Sequence, residues 1–401
     1  MSIDVLIVGA GPAGTSAAIH LSRAGHRVVA VDRTVFPRDK PCSEYLSPET
    51  VRLLDRVGLV HDLEQAGAQP LYGTKVVAPR GSSLVGRFAQ TTVPPFRSAG
   101  LAVARRILDQ HLVEGARRAG AEVRERTAVE ALLYERGAVA GAVVREQSGA
   151  RRVIRARLTI GADGLRSVVA RRLGRRYHGF PARLAFVAHV GDVPLENGIA
   201  ELHVGDAGYA GLNRIADGLA NVALVVPRRR ALESRGDVSG FFFSTLNGFP
   251  GIRGRVRPDR MVRPVLVTGP FAAWSGRVVA DGALLIGDAA DFFDPFTGQG
   301  IHAALRGGEL AATAASEALA SPGPVTARRL AGYRAARRRT FLGKWAVERL
   351  VGFGMLAPNL FDHAVARLER HGLGHTCVGV AGDYVPASTV LNPRFLCRMV
   401  L

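Results

Sequence analysis

Short apolar runs punctuate this chain and predict its elements before any chemistry is considered. Val5–Val8 is wholly apolar and reads as a buried parallel strand. The turn Gly9-Ala-Gly-Pro-Ala-Gly14 leads from it into a helix over Thr15–Ala24, stopped by Gly25. Arg27–Val31 predicts a second strand, with Asp32 at its end. A longer helix runs from Arg105 to about Ala119, where Gly120 ends it. The alternating runs Ala121–Arg126, Val129–Tyr134, Val139–Glu146 and Arg151–Ala156 predict a small antiparallel meander, and Leu158–Gly161 a further strand. From about Tyr177 to Gly269 the texture changes to β-patterned runs: Leu184–Val190, Ile199–Val204, Leu219–Val226 and Met261–Leu266. Gly282–Gly287 reads as a strand and His302–Ala315 as an Ala-rich helix. Arg328–Leu350 predicts a basic amphipathic helix, and Pro386–Leu401 a short apolar tail docked on the body.

These elements predict an α/β protein of α+β two-domain type. A discontinuous nucleotide-binding domain is expected over 1–70, 102–176 and 270–320, with a mixed-sheet substrate domain over 71–101 and 177–269. A C-terminal helical region is expected over 321–401. The 401 residues, 47% hydrophobic and 22% charged, suit a globular protein with a large core. No apolar run reaches the roughly 18 residues of a membrane span. The first strand begins within a few residues of Met1, which leaves no room for a signal peptide and makes the cytoplasm the expectation.

The net charge of +19 invites a nucleic-acid reading. The cations argue against it: they are almost all Arg, interleaved with Ala, Val and Leu along the whole chain, with Lys only at Lys40, Lys75 and Lys344. Peripheral membrane or carrier-protein contact through Arg328–Leu350 is the alternative to a purely capping helix. The chain is expected as monomer or homodimer. Cys42, Cys377 and Cys397 are too sparse for a disulfide framework and show no metal-ligand spacing, so no metal is expected.

The N-terminal turn has the chemistry of a dinucleotide site. Gly9 permits the tight turn, Gly11 leaves room for a pyrophosphate, and Gly14 lets helix and strand approach. Pro12 and Ala13 lie in the turn before a helix whose free N–H groups and positive dipole end attract phosphate. Asp32 stands eighteen residues after Gly14, close to the roughly 20 of the dinucleotide fingerprint, where a carboxylate accepts from ribose hydroxyls. Beyond Arg33, the proline-rich loop containing Arg38, Lys40, Cys42 and Tyr45 ends at Ser47-Pro48, an N-cap and first helical residue.

Three motifs in order carry a family resemblance: Asp4-Val-Leu-Ile-Val-Gly-Ala-Gly-Pro-Ala-Gly14, Thr159-Ile-Gly-Ala-Asp163-Gly164, and Leu284-Leu-Ile-Gly287-Asp288 continuing to Pro295-Phe-Thr-Gly298-Gln-Gly-Ile301. Together they resemble the FAD-dependent monooxygenase superfamily, the para-hydroxybenzoate-hydroxylase-like flavoproteins, nearest the geranylgeranyl-reductase branch. The resemblance implies FAD, with NADPH or NADH as transient reductant. It places Arg38, Lys40, Cys42, Arg105, Val129, Asp163 and Gly164 around the cofactor. Asp288 falls toward its ribitol, and Pro295, Gly298, Gln299, Gly300 and Ile301 toward the pyrimidine end of the flavin. Cys42, Tyr45, Tyr209, Asn213 and Pro295 are the pocket candidates, and Tyr209 reads equally as a core aromatic. Ser43 departs from the glycine of the reductase-like loop, and Asp291 stands where aromatic hydroxylases carry His.

The first functional expectation is an NAD(P)H-dependent monooxygenase of secondary metabolism. It would act through a C4a-hydroperoxyflavin on a small hydrophobic aromatic, polyketide or polyene substrate. The alternative is a geranylgeranyl-reductase-like flavoenzyme that reduces or forms C=C bonds in an isoprenoid. A halogenase is disfavoured, because Trp274 and Trp345 are the only tryptophans and lie far apart.

Overall fold

Two sheets organise the molecule, seen in a computed structural model that describes residues 3–400. Leu401, the end of the expected apolar tail, lies outside the described residues. The first sheet has eight strands. Its central order is Val279–Ala280, Ala283–Leu285, Arg151–Gly161, Ile3–Val8, Val28–Val31 and Glu122–Arg124, with Ala138–Arg145 and Ala128–Glu135 added alongside Arg151–Gly161. Ile3–Val8 pairs in parallel with strands on both sides, through Val5↔Leu158 and Val5↔Val28. Val5, Leu6 and Ile7 are fully buried, as an uninterrupted apolar strand between covering layers must be.

The expected meander is corrected at both ends. Glu122–Arg124 leaves it and pairs in parallel with Val28–Val31, because the helix before it delivers the chain to the open edge of the parallel sheet. The runs at Arg151–Ala156 and Leu158–Gly161 are one strand of eleven residues. Its first half pairs antiparallel with Ala138–Arg145; its second half pairs in parallel with Ile3–Val8 and Ala283–Leu285. The early helix begins at Pro12, earlier than expected, since proline is suited to a first helical position.

The second sheet has seven strands, in the order Met261–Thr268, Arg183–Gly191, Leu219–Pro227, Gly208–Ala216, Ile199–Gly205, Gly73–Val77 and Ser83–Arg87. One face packs on helix Val238–Asn247 through Phe186, Leu212, Val222, Phe242 and Leu246. The other face, carrying Val187, Tyr209 and Val225, looks toward the third motif. Helix Gly300–Leu319 packs on Pro12–Arg23, and Ala331–Gly354, Pro358–Arg370, Gly374–Ala381 and Pro393–Val400 close the structure. The tail is thus helical over Pro393–Val400, docked through half-buried Met399 and buried Phe395.

Candidate active site

The glycine turn opens at the carboxyl end of Ile3–Val8. Helix Pro12–Arg23 follows with no side-chain cap and no acidic residue in its first turn, so its N–H groups and positive end are free to meet an anion. Two glycines here are fixed by packing. A Cβ on Gly14 would lie 1.8 Å from the Gly9 carbonyl oxygen; Gly9 has φ 101°, and its Cβ would lie 2.5 Å from Ala162 O. Gly11 is different: its Cβ would meet only an Arg38 nitrogen, at 3.5 Å. The Asp32 carboxylate is held beside the turn, accepting from Ala10 N at 2.9 Å and from Thr34 N and Oγ1 at 2.9 and 2.7 Å. Arg33 next to it is exposed. Val129 lies half-buried on strand Ala128–Glu135, paired with Val144.

The loop after Asp32 rests on a buried ionic cluster. Arg105 forms a two-pronged contact with fully buried Asp109, both N–O distances 2.8 Å, and Arg38 adds a third contact at 3.3 Å. A bidentate guanidinium–carboxylate pair is a strong, oriented contact, and it leaves fewer Arg105 donors for a ligand than the resemblance implies. Lys40 is half-buried beside Gly164; burial and the Arg105 cation lower its pKa. The Cys42 thiol is half-buried and accepts from Glu44 N at 3.4 Å.

Glu44, absent from the sequence candidates, is fully buried with φ 56°. One carboxylate oxygen accepts from Arg105 N at 2.8 Å, and the other meets His189 Nε2 at 2.8 Å. His189 belongs to a row across the second sheet, Asn213–Asn221–His189–Arg263, whose members sit opposite one another on successive strands. All four are over nine-tenths buried, and Asn221 donates to Ser43 O at 3.0 Å. The row thus ties the Cys42 loop to the second sheet through Asn221 and His189, with Asn213 opposite Asn221 on the next strand.

The second and third motifs converge from the other side. The Asp163 carboxylate turns onto the start of helix Val168–Leu173, accepting from Ser167 Oγ and Val168 N. Desolvation raises its pKa. Asp288, also half-buried, accepts no hydrogen bond on its carboxylate among the described residues, and Gly287 beside it abuts Ala13. Pro295–Thr297 forms one tight turn, and left-handed Gly298 presses on the Tyr45 ring. Gln299 is 3% exposed with both amide atoms unpaired. Helix Gly300–Leu319 then begins, like the first, without a side-chain cap or an early acid, with Ile301 buried.

Tyr209 closes the site from the sheet face. Its hydroxyl donates to Asp294 at 2.6 Å, and burial with the Asp294 charge pushes its pKa well up. Asp294 also pairs with Arg183 at 2.7 Å, and Arg183 donates to Gly352 O at 3.0 Å. This buried tie joins two strands, the third motif and the C-terminal helix. Around it lies a buried apolar cluster: Ala185, Val187, Val225, Phe271 and Met355, with Phe292 and Phe296 packed against them. The Phe296 ring meets Tyr209 edge-on at 5.1 Å, next to Pro295. Tyr45, against Gly298 on one side, is buried against Phe88 and Thr74 on the other.

Behind Gln299 lies a polar cavity of about 310 Å³, lined by Thr297, Lys344, Glu348 and Asp383 among others. Lys344 bridges Gln299 O and Asp383, and His302 pairs with Asp383 at 2.7 Å. Desolvation of the Glu348 carboxyl raises its pKa to about 7. Among the described residues no cluster could hold a metal, and no helix is long and apolar enough to cross a membrane.

Sequence reasoning missed Glu44, Asp109, His189, Arg183, Asp294 and Glu348 as parts of the site. Only Asp109 had a local signal, its four-residue spacing from Arg105 on one helix face. The others meet across large sequence separations.

Comparison with known proteins agrees with this geometry. Residues 2–225 match the FAD binding domain family. Conditioned medium factor receptor 1 of Dictyostelium discoideum is 30% identical over 332 residues; the match covers 79% of this chain and 63% of that longer protein. Digeranylgeranylglycerophospholipid reductase 2 of Methanothermobacter thermautotrophicus is 31% identical over 381 residues, covering 92% of this chain and 91% of its own. Among solved structures, a myxobacterial FAD-dependent chondrochloren halogenase superimposes with a TM-score of 0.81 at 24% identity, over 88% of this chain and 83% of that one, a likeness of fold.

Proposed function

The chain belongs to the FAD-dependent monooxygenase superfamily, near its geranylgeranyl-reductase branch, and is an FAD-dependent oxidoreductase; from that premise we propose that it reduces C=C bonds in an isoprenoid lipid. The carrying observation is the apolar end of this face of the seven-stranded sheet, next to the polar row. There Ala185, Val187 and Val225 cluster with Phe271, Phe292 and Phe296, and the cluster's one hydroxyl, on Tyr209, is already committed to Asp294, so this end suits a long hydrocarbon better than a polar aromatic. The reductase relative matched over nearly its whole length supports the same choice. So does Asp291 in the place where hydroxylases carry His. It pairs with Arg337 and keeps a structural contact instead.

The cradle fits FAD. Gly11 and the start of helix Pro12–Arg23 would receive the pyrophosphate, Asp32 the adenosine ribose, and the unpartnered Asp288 carboxylate the ribitol hydroxyls. Gln299 and the N-terminus of helix Gly300–Leu319 would meet the pyrimidine end, where a positive dipole favours the anionic reduced ring. Reduced FAD, when bound, would supply the hydride, and water the accompanying proton. The protein excludes water with Phe271, Phe292 and Phe296, holds the Pro295 turn in place through Asp294, and keeps Tyr209 protonated at neutral pH. NADPH or NADH is the proposed source of electrons.

The test is an anaerobic incubation of chemically reduced, FAD-loaded protein with a geranylgeranylated glycerophospholipid, read by mass spectrometry. Gain of two hydrogens per double bond is the expected result. No reaction without oxygen, together with gain of one oxygen atom on its admission, would replace reduction by oxygen transfer.

A further inference from the structure

The aromatic lining of the site does not stop at the interior. Phe296 meets Phe361 at 6.5 Å, and Phe293 meets Phe353 at 6.2 Å. Phe353 is 46% exposed, at the end of helix Ala331–Gly354. In the turn that follows, Met355 points inward to the Tyr209 cluster, whereas Leu356 points outward, 46% exposed. Leu360, on the first turn of the next helix, is 51% exposed.

A second apolar group flanks the same segment. Strand Ala273–Ser275 pairs with Asp291–Phe292, setting Trp274 opposite Asp291. Trp274 stacks on Tyr177 at 5.7 Å, and both are exposed; Phe180 nearby in the chain is the most exposed large apolar side chain described, at 66%. The two groups therefore border residues 291–293 from two sides, and an apolar rim of this kind on a soluble fold marks a surface that is covered in use.

Charge selects the occupant. On the helix that carries Phe353, exposed Arg349 stacks over the Phe293 ring at 5.1 Å. Arg175 and Arg277 are exposed around the Tyr177–Trp274 stack. A second copy of this chain would set arginine against arginine. An anionic bilayer complements both the rings and the cations.

We propose that the rim formed by Phe353, Leu356, Leu360, Tyr177, Phe180 and Trp274 docks the protein on an anionic membrane surface and opens its site to substrate from the bilayer. The docking is peripheral, and its role rests on the lipid-reductase reading, although its measurement needs no turnover.

The experiment is co-sedimentation of the FAD-loaded protein with vesicles of phosphatidylcholine alone or mixed with phosphatidylglycerol. Wild type is expected to partition onto the anionic vesicles, gaining about fivefold in binding per arginine engaged, and to release at high salt. The F353S/L356S/L360S variant should lose at least about tenfold, whereas V153S, at an exposed position on the eight-stranded sheet, should bind as wild type. Wild-type Trp274 fluorescence should be quenched by brominated lipid, and W274F should lose that quenching; this readout holds even if the triple variant misfolds. Equal binding to both vesicles, or binding unchanged in a folded triple variant, overturns the proposal. So does a dimer in solution that the triple variant abolishes without any vesicle binding. Vesicle binding without C=C reduction would sink the reductase reading alone, and reduction of detergent-dispersed lipid without vesicle binding would sink the docking alone.

Discussion

The two sheets face one site with different materials. The eight-stranded sheet presents main chain: a turn of glycines, two uncapped helix starts, and carboxylates at strand ends. The seven-stranded sheet presents side chains, a field of aliphatic groups and rings gathered from strands 183–191, 208–216 and 219–227 and from residues 271, 292, 296 and 355. Recognition by backbone tolerates almost any substitution except at its glycines. Recognition by side chains can be rebuilt residue by residue. The contrast explains how one fold can keep a cofactor and exchange substrates.

The contrast is sharpest within a single turn. Gly14→Ala forces a Cβ to 1.8 Å from the Gly9 carbonyl, so the protein should lose at least about 3 kcal/mol or fail to accumulate, as read by thermal melting. Gly11→Val, two positions before Ala13, meets only the end of the Arg38 side chain at ordinary contact distance and should melt within about 0.5 kcal/mol of the apoprotein while losing bound flavin absorbance. If Gly11→Val kept its flavin, the backbone account of the cradle would fail.

Asp109→Asn comes next. It leaves buried Arg105 with a neutral partner and should cost about 3–5 kcal/mol in chemical denaturation. On the sheet side, Tyr209→Phe removes one donor from Asp294, which keeps Arg183 and Phe296 N. A loss of about 1–2 kcal/mol with flavin content unchanged is expected. Parity of the two losses would erase the distinction between an ionic cofactor side and a packed substrate side.

The smallest effect concerns Glu348. Its folded pKa of about 7 lies above the ordinary 4.5, so the folded state favours the neutral acid. Stability from this group is full below about pH 4.5 and is lost as the pH rises through about 7. Glu348→Gln should therefore melt above wild type beyond about pH 7, and the two curves should converge in acid.

The sequence made the backbone half readable and left the side-chain half obscure. Glycine spacing, proline at a first helical position and Ser47 as an N-cap are local facts, and the structure places Ser47 Oγ under Thr50 N as expected. The parallel pairing of Glu122–Arg124 was not local: an alternating run of three residues cannot declare which edge it will join. Glu44, His189 and Arg263 carry no pattern at all, since each belongs to an unremarkable loop or strand until the sheets are assembled. Arg105 is instructive in the opposite sense. Its spacing from Asp109 signalled their contact, but the burial of the pair and the addition of Arg38 to it came only with the fold.

One pairing in the second sheet has a consequence in time. Strand Ser83–Arg87 forms the outer edge of the sheet, and helix Gly374–Ala381 lies over it so closely that a Cβ on Gly86 would strike Val378. On the ribosome that helix emerges roughly 300 residues after the strand, which at about 5–20 residues per second means tens of seconds of delay. For that interval the early strand waits with an unpaired edge, and a nascent chain is then most exposed to pairing with the wrong neighbour. Slow expression at low temperature lengthens the wait, so a chaperone that shields extended segments should raise the yield of this protein more than cooling does.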